Sequence, residues 1–124
     1  MSGVTEAQYD KRDQYDKVAS MLLPGERILA VYDCVGVGTG FVGLTDKRVV
    51  LQDNSFVGKQ VALTSLPYSK ITSVAFVADR SMLGKFASSS TVAIAVGTHI
   101  HEASFRGDDK ARYVHDMVLH HLIG

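Results

Sequence analysis

Cysteine occurs once, at Cys34, so neither an intrachain disulfide nor a cysteine-rich metal centre is available to this chain. Its apolar neighbours on an expected strand describe an inert buried thiol rather than a nucleophile. There are two prolines and no tryptophan, and no stretch has the composition of a linker that would divide domains. No apolar run approaches the roughly 18 residues needed to span a bilayer. The N-terminus, Met-Ser-Gly-Val-Thr-Glu, lacks the basic and apolar regions of a secretion signal and has no glycine at position 2 for myristoylation. Net charge is absent too: thirteen basic residues balance thirteen acidic ones, which removes the global field that draws proteins to nucleic acid or anionic lipid. The expectation is a cytoplasmic protein that binds no nucleic acid.

What is present is the material of one domain. A chain of 124 residues, 46% hydrophobic and 21% charged, is long enough to bury a single core. Thr5 is placed to cap a first helix, with acids in its N-terminal half and Tyr15, Val18, Ala19 and Leu22 along one side. Leu23-Pro24-Gly25 stops it. From Glu26 the apolar period shortens to about 2, the spacing of strands. Seven are expected: Glu26–Val35, Thr39–Thr45, Arg48–Asp53, Lys59–Leu66, Ile71–Asp79, Thr91–Val96 and His99–Phe105. Gly97-Thr98 suits a type II′ hairpin turn, and Arg80–Ser90, with its three serines, reads as the longest irregular segment. Gly107-Asp108 then opens an amphipathic helix whose stripe is Ala111, Val114, Met117, Val118 and Leu122.

Within this pattern, Leu44-Thr45-Asp46-Lys47-Arg48 followed by Val-Val-Leu, and Pro67-Tyr68-Ser69-Lys70-Ile71-Thr-Ser-Val, resemble the bacterial pleckstrin-homology (PH)-like domains. The similarity in wording extends from Leu22-Leu23-Pro24-Gly25-Glu26 to Leu122. The resemblance implies a mainly β fold with capping helices: a seven-stranded antiparallel, partly open barrel closed by a C-terminal helix. Residues 1–23 would be a helical extension and 24–124 the PH-like domain. It also implies a non-enzymatic binding or assembly role, with no cofactor. Two features depart from eukaryotic PH domains. The closing helix lacks tryptophan, and the hairpin Val35–Phe41, where phosphoinositide binders carry basic residues, is glycine-rich and uncharged. Phosphoinositide recognition therefore does not carry over.

Gly38-Thr39-Gly40-Phe41-Val42-Gly43 matches G-x-G-x-x-G, but a dinucleotide site needs a helix next, and here a hairpin follows. Its glycines are expected to serve hairpin geometry or close approach of a neighbour. His99 and His101 share a face on a regular strand at metal-ligating spacing, yet no third ligand is evident, so no metal site is expected. The opposite parity of Ile100 and Phe105 suggests a bulge between them, leaving the direction of the histidines open. His121 falls inside the apolar stripe of the last helix, as a hydrogen-bonded core or interface histidine. No nucleophile, base and acid are grouped for catalysis.

Two functional expectations result. The first is homo-oligomerisation, with an unknown protein as another partner class, through Tyr15, Val18 and Leu22 of the first helix and Tyr113 of the last; the competing expectation is that the first helix packs on its own barrel. The alternative is peripheral binding to an anionic membrane or acidic partner. It uses Lys47, Arg48, Lys59 and Lys70 from the segment 34–101, which carries six basic residues against three acidic ones.

Overall fold

A computed structural model describes residues 7–36, 38–54, 60–78 and 89–124. The elements run β1 (Gln8–Tyr9), α1 (Arg12–Ala19), β2 (Ile28–Asp33), β3 (Thr39–Thr45), β4 (Arg48–Asp53), β5 (Ala62–Pro67), a 3-10 turn (Tyr68–Lys70), β6 (Ser73–Ala78), β7 (Ser89–Val96), β8 (His99–Arg106) and α2 (Asp109–Ile123). They build a five-stranded sheet, β1-β2-β3-β4-β5, and a three-stranded sheet, β6-β7-β8. Every pairing is antiparallel except β1 with β2.

The central strands of the larger sheet are buried at consecutive positions rather than alternate ones. Phe41 to Thr45 in β3 and Val49 to Leu51 in β4 are all inaccessible. Both faces of this sheet are therefore covered, which favours unbroken apolar runs over alternation. The inner face sends Ala30, Tyr32, Val42, Leu44, Val49, Leu51 and Leu66 into the main core, against Val92, Ile94, Phe105 and the Ala111, Val114, Val118 stripe of α2. The outer face offers Val31, Phe41 and Val50 to Val18 of α1, with Tyr15, Met21, Leu22 and Ile28 packed around them. The smaller sheet has one covered face, and β7 alternates accordingly, with Ser90, Val92 and Ile94 buried between half-exposed neighbours.

The barrel closes on one side only. There the Val35 N–H donates to the Ser104 carbonyl at 2.8 Å and the Thr39 hydroxyl to the Glu102 carbonyl at 2.7 Å, joining the first hairpin to β8. On the other side β5 and β6 are linked through the 3-10 turn and do not pair. The result is the expected partly open barrel closed by its C-terminal helix.

Several expectations change in detail. The first helix starts at Arg12; the expected cap Thr5 lies outside the described residues. Ahead of it, β1 adds a strand that its two residues, both exposed, did not signal. Beside β1, Asp10 accepts from the Asp33 N–H at 2.9 Å and from Lys110 of α2 at 2.7 Å. The first long strand begins at Ile28, not Glu26. Ser89 and Ser90 belong to β7, while the rest of the expected loop, 80–88, lies outside the described residues. The bulge expected in His99–Phe105 is absent, because β7 and β8 keep one register from Ser89↔Arg106 to Val96↔His99. Gly97 has φ +63° and no non-glycine residue among the described residues has positive φ, in keeping with a type II′ turn.

Candidate functional site

The turn between β3 and β4 is the most densely bonded place among the described residues, and it recasts one of the expected basic residues. Arg48 grips Glu26 through one edge of its guanidinium, Nε to Oε2 and Nη2 to Oε1, each at 2.9 Å. It also donates to Ser65 Oγ at 2.9 Å and to the Met21 carbonyl at 2.7 Å. Glu26 accepts in addition from the Thr45 hydroxyl at 2.6 Å and the Leu23 N–H at 3.0 Å. Its side chain is 1% exposed and that of Arg48 15%. Arginine's planar fork suits this bidentate grip. The Arg48 hydrogen bonds outweigh burial and hold the Glu26 carboxyl down to about 2.

Neighbouring groups complete the knot. Asp46 Oδ1 accepts from the Arg27 N–H at 3.0 Å. The buried Tyr68 hydroxyl donates to the Thr45 carbonyl at 2.7 Å, and His121 of α2 stacks on the Tyr68 ring at 4.0 Å. The two sequence stretches that carry the family resemblance thus meet in space, and their polar residues bind each other. Arg48 is therefore withdrawn from the basic patch: its charge is compensated and its donors face inward. Lys47 and Lys70 are exposed, and Lys59 lies outside the described residues.

The residues expected to mediate self-association divide similarly. Val18 is fully buried against its own sheet, so it has no surface left for a partner. Tyr15 and Leu22 are half-buried in the same cluster. A Cβ on Gly43 would stand 2.9 Å from Val18 Cγ2, so glycine here lets the helix reach the sheet. This close approach is to the chain's own helix. Tyr113 remains partly exposed, with its ring edge-on to Tyr32 at 5.9 Å. Cys34 is buried, and desolvation pushes its thiol up to about 12, as suits an inert core residue. His121 hydrogen-bonds the Met117 carbonyl at 2.8 Å.

With the register regular, His99 and His101 fall on the face of β8 that also carries the buried Ala103 and Phe105. They look into the mouth of the barrel, a depression of about 260 Å³ shared with Gly38, Thr39, Asp53 and Thr64. Ile100 points the other way and is 60% exposed.

The unpaired side of the barrel presents a different surface. The expected sites missed it because exposure of an apolar strand residue is set by its distant neighbours. Among the described residues nothing pairs with the free edge of β5 or of β6. Leu63 in β5 is 41% exposed, Val61 just before it 54%, and Val77 in β6 51%. Neither Ala62–Pro67 nor Ser73–Ala78 contains a charged residue. The lack of charge in both strands was the available signal.

No helix among the described residues is long and apolar enough to cross a membrane. Comparison with the curated proteins gives no match. A crystal structure of a pleckstrin homology domain from Shewanella amazonensis superposes with a TM-score of 0.67, covering 93% of this chain and 100% of that one at 20% identity. At that identity the likeness shows the fold. The model of the bacterial PH domain family matches residues 1–121, through α1, both sheets and nearly all of α2. The chain belongs to the bacterial PH domain family.

Proposed function

We propose that this domain is a non-catalytic interaction module that works by self-association, through the open side of its barrel rather than through α1. Domains of this family are typically binding modules and generally non-catalytic. The supporting observation is the edge of β5: unpaired among the described residues, uncharged over its whole length, and bearing exposed Leu63 with exposed Val61 just before it. An exposed edge strand is a template for another strand, and proteins that avoid such pairing place charges or bulges there. An uncharged edge meets its own copy antiparallel without like-charge repulsion, the isologous geometry of a two-fold dimer.

The anionic-surface alternative retains Lys47 and Lys70 and loses Arg48 to its ion pair with Glu26. It has less support than the edge.

Sedimentation velocity on the wild type and Leu63→Lys tests the reading. A lysine beside its symmetry mate introduces repulsion and a solvated charge at the strand edge. The expected result is an assembled wild type and a variant shifted to monomer with an unchanged circular dichroism spectrum. Equal sedimentation of the two proteins overturns the role of β5.

A further inference from the structure

The mouth of the barrel holds chemistry that self-association leaves unused. His99 and His101 stand two positions apart on β8, so the strand's period directs both to one side. Their ring centroids are 4.4 Å apart. Two imidazoles bound to one tetrahedral zinc-like ion, at about 2.0–2.1 Å per nitrogen, hold their centroids about 5 Å apart. The observed ring separation is thus within about 1 Å of that of two imidazoles sharing one ion.

The ligand class follows from the two imidazoles themselves, since Glu102 shares the parity of Ile100 and turns its side chain away from them. Imidazole nitrogen suits zinc, nickel and copper, whereas magnesium and calcium take oxygen ligands.

We propose that His99 and His101 form a two-histidine chelate for one divalent transition-metal ion at the barrel mouth. Among the described residues no group of three His, Cys, Asp or Glu side chains is arranged to hold a metal. The protein thus supplies two ligands, and the ion keeps positions open to water or to an incoming donor group. The reading is independent of how copies of the chain associate.

Zinc chloride titrated into the 124-residue chain, followed by NMR of the histidine ring nitrogens, tests this. His99 and His101 are expected to shift together and saturate at one ion per chain. His99→Ala and His101→Ala should each weaken zinc binding more than about tenfold, the scale on which even outer-shell losses act. His120→Ala, an exposed position on α2, should leave it unchanged. Shifts confined to His115, His120 and His121 overturn the proposal, as does equal affinity in the His99→Ala/His101→Ala double variant. The wild-type ring signals decide the matter even where a variant folds poorly.

Discussion

Replacing Glu26 by glutamine removes one charge from the buried pair while nearly preserving shape. Glu26 is 1% exposed and Arg48 15%, so the remaining guanidinium would face an amide in a site that water scarcely reaches. Breaking a buried pair by losing one partner costs about 3–5 kcal/mol, because the other charge is left uncompensated. The glutamine carbonyl still accepts two of the four hydrogen bonds that converge on this carboxylate, so roughly 2–3 kcal/mol is expected at pH 7. For a domain of this size that corresponds to a fall in Tm of about 10 °C. The effect also has a pH signature. Folding lowers the Glu26 pKa from 4.5 to about 2, so between these values the unfolded chain binds more protons than the folded one. Wild-type stability from this group is complete above the unfolded value and is lost as pH falls toward about 2. Glu26→Gln has no such group, so its deficit should shrink over the same window. Urea unfolding followed by circular dichroism at several pH values measures both quantities. A deficit below about 0.5 kcal/mol at pH 7, the size of an ordinary surface substitution, would refute the reasoning. A deficit independent of pH down to about 2 would refute the linkage.

Two further perturbations probe the same frame. Gly43→Ala should cost about 1–3 kcal/mol, since its Cβ meets Val18 Cγ2 at 2.9 Å, and Val18→Ala in that background should recover part of the loss; thermal melts of the single and double variants check this. Tyr68→Phe deletes a buried hydroxyl bonded to the Thr45 carbonyl and should cost about 1–2 kcal/mol, read as a lower urea midpoint with an unchanged slope.

Much of this fold could be read locally. The Gly97-Thr98 hairpin, the stripe of α2 and the runs of β3 and β4 are signalled by residues within a few positions of each other. What escaped depends on distant partners. Arg48 looks like a surface cation beside Lys47; only folding brings Glu26, 22 positions earlier, against its guanidinium. Tyr15, Val18 and Leu22 form an apolar stripe whether the helix covers its own sheet or a neighbour's. The consecutive burial in β3 and β4 resolves that ambiguity, because a sheet with one open face favours alternation. Ile100 misled in the opposite way. As an exposed apolar residue it broke the alternation of β8 and suggested a bulge, whereas the strand is regular and its histidines face the barrel mouth. The free edge of β5 was equally hidden, since which strands lack a neighbour is a property of the sheet order.

The central claim, that this domain associates with itself through its open side, is met most directly by the molar mass of the purified wild-type chain. Light scattering coupled to size exclusion at tens of micromolar should give a multiple of the 13.4 kDa chain mass. A mass of one chain across that range contradicts the account.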